Sequence, residues 1–177
     1  MAGSSTVRAV FYYELGSPEC YLMAERLAAG ALPTAPEWEP VHLGAPDPRS
    51  DRELIERLAG EQGLQALRWP ARWPPDTRRA MLAATYAKRI GRAVAFSLAA
   101  FRQAFAGGRD LADPDTLLIA GAACEMHPAA LLKALELRSV ANALDQATAR
   151  AVDAGVESLP AVTVGDRVVA DPEALQA

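Results

Sequence analysis

The sequence predicts a single domain of the α/β class, a four-stranded mixed sheet with a large all-helical insertion. Three observations lead to this prediction. A strand–helix–strand unit opens the 177-residue chain, a long tract punctuated into helices follows, and two short strands and a helix start come last. The sheet and its helices are assigned to residues 1–48 and 139–177, and the insertion to about residues 49–138.

The first strand and helix are predicted from residue types and capping signals. Residues 7–14 (VRAVFYYE) are rich in β-branched and aromatic residues, and their middle is apolar on both faces, as in a central strand. Ser17, Pro18 and Glu19 supply an N-cap, a proline at the first helical position and an acid in the first turn. We therefore expect a helix that begins there and ends near Gly30.

A second strand is predicted over residues 38–43 (WEPVHL). Pro40 cannot donate a ladder hydrogen bond, so this strand should lie at a sheet edge. Because the strand, the helix and this second strand follow one another closely, we expect parallel strands joined by a right-handed crossover.

Prolines, glycines and capping residues divide the helical tract. A capping box at Ser50–Glu53 predicts a helix that stops near Gly60. Residues 68–75 (RWPARWPP) cannot be helical, because prolines punctuate them. The further helices are expected to begin at Asp76, after Gly91, at Asp113, at Pro128 and at residue 139, with Gly155 ending the last one.

The end of the sequence returns to strands. Residues 160–164 (PAVTV) and 167–169 (RVV) flank a Gly-Asp pair and predict a β-hairpin. An Asp-Pro-Glu triplet from Asp171 onwards predicts the start of a short final helix.

Composition excludes several classes of function. The net charge of −4 and the pI near 5.2, without a basic stripe, argue against binding to nucleic acid. No stretch approaches the roughly 20 apolar residues of a membrane span, and no signal peptide is recognisable. The two cysteines, Cys20 and Cys124, cannot make a disulfide framework, so we expect a reduced, cytoplasmic compartment.

Two distant segments resemble one known family. Residues 11–22 (FYYELGSPECYL) resemble the strand and active-site turn of the DsbA-like superfamily, whose redox members carry Cys-Pro-x-Cys there. The Ser-Pro form resembles the branch of 2-hydroxychromene-2-carboxylate isomerase and the kappa-class glutathione transferases. Residues 155–162 (GVESLPAV) resemble the family's segment with a cis proline that faces this turn, and residues 73–77 and 127–138 also resemble the isomerase branch. The resemblance implies a thioredoxin fold.

Ser17 and Cys20 are the candidate catalytic residues. Disulfide exchange needs an attacking and a resolving thiol, and Ser17 occupies the attacking position with a hydroxyl, which forms no disulfide. The amino end of a helix offers free N–H groups and a positive dipole end, which stabilise an anion such as the thiolate of a bound molecule. The Ser17 hydroxyl would donate one further hydrogen bond to that sulfur.

The resemblance implies the rest of the thiol site. It implies glutathione as the thiol, with the backbone of Leu159 beside the cis proline Pro160 pairing with its peptide and Asp171 holding its γ-glutamyl end. Residues 169–175 (VADPEAL) depart from the aromatic-Gly-x-Asp-Arg-Leu pattern of the family, so another low-molecular-weight thiol, or none, stays open. The resemblance also implies isomerisation or transfer on a small electrophilic, aromatic substrate, and a homodimer.

Four residues are candidates for a substrate pocket. Trp69 and Trp73 could line an apolar pocket or staple their loop to the helices. Arg72 could bind a carboxylate or remain a surface charge, and Tyr13 could donate a hydrogen bond or pack in the core. No metal is expected, because Cys124 and its neighbour His127 are too few ligands for a zinc site.

Two other functions remain open at this stage. One is thiol–disulfide exchange through Cys20, which matches the resolving position of the redox members. The other is a non-catalytic thioredoxin-fold module that binds an extended peptide beside Leu159 and Pro160.

Overall fold

The computed structural model describes residues 8–44 and 50–169, and its strands form one mixed sheet in the order β2-β1-β3-β4. β1 pairs parallel with β2 and antiparallel with β3, and β3 pairs antiparallel with β4. The predicted central first strand and the predicted edge position of Pro40 are both confirmed. The strands are β1 (Ala9–Tyr13), β2 (Glu37–Pro40), β3 (Ala161–Val164) and β4 (Arg167–Val169).

One helix lies between the parallel strands, and six follow before the hairpin. The proline-rich segment at residues 68–75 is not helical, as predicted. The helices are α1 (Pro18–Ala28), α2 (Arg52–Glu61), α3 (Arg78–Arg89), α4 (Ala93–Phe105), α5 (Pro114–Ala122), α6 (Pro128–Ala134) and α7 (Arg138–Asp153).

Several boundaries differ from the sequence prediction. β2 ends at Pro40 instead of residue 43, because Val41 makes its last bond to the sheet, to the Tyr13 carbonyl, and the chain then leaves the ladder. Asp51, not Ser50, caps α2, with its carboxylate accepting the Leu54 N–H at 3.0 Å. α3 begins at Arg78 with Thr77 at the N-cap position, one residue later than an Asp76 cap would place it. The predicted helix from Asp171 lies outside the described residues.

A single hydrophobic core joins the sheet to the helical tract. Phe11 of β1, Met23 of α1, Met81 of α3 and Phe101 of α4 are all fully buried in the same cluster. α1 packs against α4, and α3 packs against both α4 and α7. The insertion therefore shares its interior with the sheet.

Within residues 8–44 and 50–169, every helix falls short of the length and apolarity required to cross a membrane.

Candidate functional site

The ends of three strands bring the predicted site together. Tyr13 at the end of β1 pairs with Pro40 of β2, and Tyr12 pairs with Ala161 at the start of β3. The Leu159–Pro160 peptide bond, which directly precedes β3, is cis, as the family resemblance predicted. This register sets Pro160 beside the end of β1, where the chain turns into α1.

Ser17 is the N-cap of α1, and its hydroxyl already has two partners. Its Oγ accepts the Cys20 N–H at 3.1 Å and donates to Glu19 Oε2 at 3.1 Å. The residue is only 7% exposed. The hydroxyl that was expected to hold a ligand sulfur is therefore used within the first turn of the helix in this structure.

The free donors at this helix end can be counted. Pro18 has no N–H, the Cys20 N–H bonds to Ser17 Oγ, and the Tyr21 N–H bonds to the Ser17 carbonyl at 3.1 Å. Within the described residues, no hydrogen bond uses the Glu19 N–H. The Glu19 amide is thus a free donor of this first helical turn, and the Ser17 hydroxyl can donate to an anion only if it leaves the Glu19 carboxylate.

Cys20 lies one helical turn inside, with its thiol fully buried. Burial is the main cause that raises the pKa of Cys20 to about 12; the nearby Ser17 side chain and Glu14 backbone act to lower it, and the carboxylates of Glu14 and Glu19 raise it further. The thiol is protonated at neutral pH, and thiolate is the reactive form. This geometry gives no support to disulfide exchange that begins at Cys20.

Tyr13 requires a correction to the predicted substrate pocket. Its side chain is fully buried in the core, and its hydroxyl lies 2.6 Å from Ser97 Oγ of α4. Burial raises the pKa of Tyr13 well above its ordinary value. Because β1 is a central strand, its side chain points into the packed helical layer, where a substrate cannot reach the hydroxyl.

The two loop tryptophans belong to an aromatic cluster, defined here as Tyr21, Trp69, Trp73 and Phe105. Trp69 and Trp73 pack edge to face with ring centroids 5.2 Å apart, and both contact Phe105 of α4 at 6.1 Å. Phe105 stacks on Tyr21 of α1 at 5.5 Å. The aromatic cluster therefore links the proline-rich loop to the helix that Ser17 caps.

Polar contacts anchor the same loop to α2. The Trp69 Nε1 donates to Glu56 at 2.7 Å, and the Arg52 guanidinium lies 4.7 Å from the centre of the Trp69 ring. Trp69 and Trp73 remain half-buried, and Arg72 between them is exposed. The tryptophans thus hold their loop against α2 and α4. Their exposed parts can still contact a ligand.

Leu159 fits a role as a backbone contact. Its side chain is half-buried against the core, whereas no hydrogen bond within the described residues uses its backbone N–H or C=O. Asp171, the other residue expected to hold the thiol, lies outside the described residues.

Sequence reasoning missed a buried polar group beside the turn. Glu14 is only 3% exposed, its carboxylate accepts a hydrogen bond from the Thr77 hydroxyl, and His42 Nδ1 lies 3.6 Å from the same carboxylate. Thr77 precedes α3, so this group ties the start of α3 to the end of β1. An acid directly after a buried strand was the available sequence signal. Among the described residues, no group of three or more His, Cys, Asp or Glu side chains is placed to hold a metal ion.

A capped helix N-terminus follows the central strand β1, and a cis proline precedes the neighbouring strand β3 of a four-stranded mixed sheet with a helical insertion. These features define a thioredoxin-fold protein of the DsbA type. The chain belongs to the family described as the DSBA-like thioredoxin domain, which matches residues 8–177. Members of this family are oxidoreductases or isomerases.

Several solved structures share this fold. A 2-hydroxychromene-2-carboxylate isomerase aligns with a TM-score of 0.80 at 19% identity, over 94% of this chain and 90% of its own. The cytosolic disulfide reductase DsbM from Pseudomonas aeruginosa, solved with GSH, gives 0.68 at 14%, over 96% and 95%. The oxidoreductase DsbA from Xylella fastidiosa gives 0.64 at 17%, over 98% and 82%. A search of curated proteins finds no match.

Proposed function

We propose that this protein is a thiol-dependent isomerase or transferase of the 2-hydroxychromene-2-carboxylate isomerase type, with glutathione or another low-molecular-weight thiol as its cofactor. Its substrate would be a small electrophilic, aromatic molecule. One observation supports this most directly: Ser17 caps α1 just after β1, the strand whose end adjoins the cis Pro160, whereas the Cys20 thiol is buried and protonated. A site with a hydroxyl at the attacking position suits a thiol supplied by a ligand.

The residues present fit a bound glutathione. A bound glutathione would supply the thiolate that adds to the electrophile, reversibly in isomerisation and irreversibly in transfer. The Glu19 N–H and the Ser17 hydroxyl could donate to its sulfur, and the positive end of α1 favours that charge. The backbone of Leu159, which has no partner among the described residues, could pair with its peptide.

The aromatic cluster and Arg72 are the proposed substrate side of the site. The exposed parts of Trp69 and Trp73 would contact an aromatic ring, and Arg72 would meet a carboxylate. On the family resemblance, we also propose a cytoplasmic homodimer that uses no metal.

The test is a calorimetric titration of glutathione and other small thiols into the wild-type protein and Ser17→Ala. Thiolate absorbance of the bound thiol gives its pKa. We expect wild-type protein to bind glutathione and to lower its thiol pKa, and Ser17→Ala to weaken this pKa effect more than the binding.

The matched control is Asp113→Ala, which removes the N-cap of α5, another helix that begins with proline. Both substitutions should lower stability by about 1 kcal/mol through the lost cap, but only Ser17→Ala should change the thiol pKa. Absence of binding by every thiol tested would refute the proposal. A peptide ligand bound at Leu159–Pro160 would then favour a non-catalytic module, and fast reaction of Cys20 with a disulfide probe would favour an oxidoreductase.

A further inference from the structure

Glu19 makes a contact with the Ser17 hydroxyl that the proposed function does not use. A serine hydroxyl has a single proton to donate, and here it points to Glu19 Oε2 at 3.1 Å. The Ser17 oxygen at the same time accepts the Cys20 N–H. A thiolate that is to receive a hydrogen bond from Ser17 must therefore take the place of the Glu19 carboxylate.

We propose that Glu19 is a built-in competitor at this site, a specificity-determining residue whose carboxylate opposes any anion held at position 17. The part of this inference that concerns a ligand thiol rests on the proposed function. The electrostatic part concerns the folded chain alone and can be tested without a ligand.

The carboxylate of Glu19 also disfavours a negative charge on the thiol of Cys20. Of the two carboxylates that raise the pKa of Cys20, one belongs to Glu14 and the other to Glu19, so their charge reaches the first turn of α1. Glu14 is buried and held by Thr77. Glu19 is half-exposed, and its side chain makes no hydrogen bond among the described residues other than the one to Ser17, so the carboxylate can turn out to solvent.

The contact predicts a charge preference among thiols. A cationic group next to the ligand sulfur would pair with Glu19, whereas a carboxylate there would be repelled by it. Cysteamine and 3-mercaptopropionate are suitable probes, since each joins its thiol by two carbons to an ammonium or a carboxylate.

The decisive experiment places a thiol at position 17 by Ser17→Cys. The background carries Cys20→Ala and Cys124→Ser, so that the introduced thiol is the sole one in the chain. Its pKa is measured from the pH dependence of its alkylation rate, with and without Glu19→Gln. Glu53→Gln serves as the control, because it removes the same charge from the first turn of α2.

We expect Glu19→Gln to lower the pKa of the introduced thiol by about one pH unit, and Glu53→Gln to leave it unchanged. Equal pKa values with and without Glu19→Gln would overturn the proposal. In otherwise wild-type protein, Glu19→Gln should bind 3-mercaptopropionate about tenfold more tightly and lose most of the preference for cysteamine.

The two proposals fail in different ways. If Glu19→Gln lowers the pKa of the introduced thiol but no thiol binds the wild-type protein or Glu19→Gln, the role of Glu19 stands and the thiol-dependent enzyme is refuted. If glutathione binds and the introduced thiol is insensitive to Glu19→Gln, the enzyme stands and the competitor is refuted.

Discussion

The hydroxyl of Ser17 and the thiol of Cys20 are three residues apart but lie in different environments. Ser17 is only 7% exposed, and it exchanges hydrogen bonds with the half-exposed Glu19 and with the Cys20 amide. The Cys20 side chain is fully buried among apolar groups. Because burial penalises the charged form, chemistry at this turn is expected to depend on the outer residue and not on the inner one.

The raised pKa of Cys20 predicts how stability depends on pH. A cysteine thiol in an unfolded chain has a pKa of about 8.5, whereas the pKa of Cys20 in the folded protein is about 12. At a pH between these two pKa values the unfolded chain releases a proton that the folded chain keeps. The contribution of the Cys20 thiol to the free energy of unfolding is therefore fully present below the pKa of the unfolded chain. It is lost as pH rises, by about 1.4 kcal/mol for each pH unit.

Urea unfolding between pH 7 and 10 tests this expectation for the wild-type protein and Cys20→Ala. The free energy of unfolding should fall above about pH 8.5 less steeply in Cys20→Ala than in the wild type. Below about pH 8 the two curves should run parallel, which is the internal control. Parallel curves over the whole range would mean that the thiol titrates normally in the folded protein.

At the scale of the elements, α3 begins without a side-chain cap. Thr77 stands at its N-cap position, but its hydroxyl donates to the carboxylate of Glu14 and accepts no amide N–H of its own helix. The helix therefore gives up a local hydrogen bond, and a buried carboxylate at the end of β1 gains a donor. This contact joins the end of the proline-rich loop, where α3 begins, to the end of β1.

Removal of the Thr77 hydroxyl should therefore lower the stability of the folded protein. Thr77→Val keeps the shape of the side chain and leaves the buried Glu14 carboxylate without that donor, which should lower the free energy of unfolding by about 1–3 kcal/mol. Thr77→Ser should retain most of the stability. Urea denaturation followed by circular dichroism measures both variants.

Thr85→Val is the matched control on the same helix. Thr85 is also buried, but its hydroxyl donates at 2.8 Å to the Met81 carbonyl one turn earlier in α3. Loss of the Thr85 hydroxyl should lower the free energy of unfolding only slightly, because a threonine hydroxyl that bonds to a carbonyl of its own helix does not stabilise the helix. Equal losses for Thr77→Val and Thr85→Val would contradict the special role of the Glu14 contact.

At the scale of the whole molecule, the sheet and the helical insertion share one core. The hydroxyl pair of Tyr13 in β1 and Ser97 in α4 is buried inside it, and the aromatic cluster connects α1 to the proline-rich loop. The hydrophobic residues of the sheet and those of the insertion are buried against each other. We therefore expect the chain to unfold as one cooperative unit.

The tryptophans allow this cooperativity to be measured. Trp69→Phe combined with Trp73→Phe leaves only Trp38 in the sheet, and Trp38→Phe leaves only the loop pair. In each variant the urea midpoint from fluorescence should coincide with that variant's own midpoint from circular dichroism. A separate midpoint for the loop pair would show that the insertion unfolds as an independent domain.

The sequence by itself determined the order of the elements and the main features of the site. The Ser17 cap and the edge position of Pro40 follow from rules that act within a few residues or a single strand, so they can be predicted locally. The cis bond before Pro160 came from the family resemblance of residues 155–162. The mixed sheet with a helical insertion followed from the same evidence.

Only the tertiary structure decided which side chains meet. Tyr13 and Ser97 are 84 positions apart, and Glu14 and Thr77 are 63 apart. No local rule pairs such residues, because their contact depends on how the helices pack over the sheet. The packing placed Tyr13 in the core instead of a pocket and buried the thiol of Cys20.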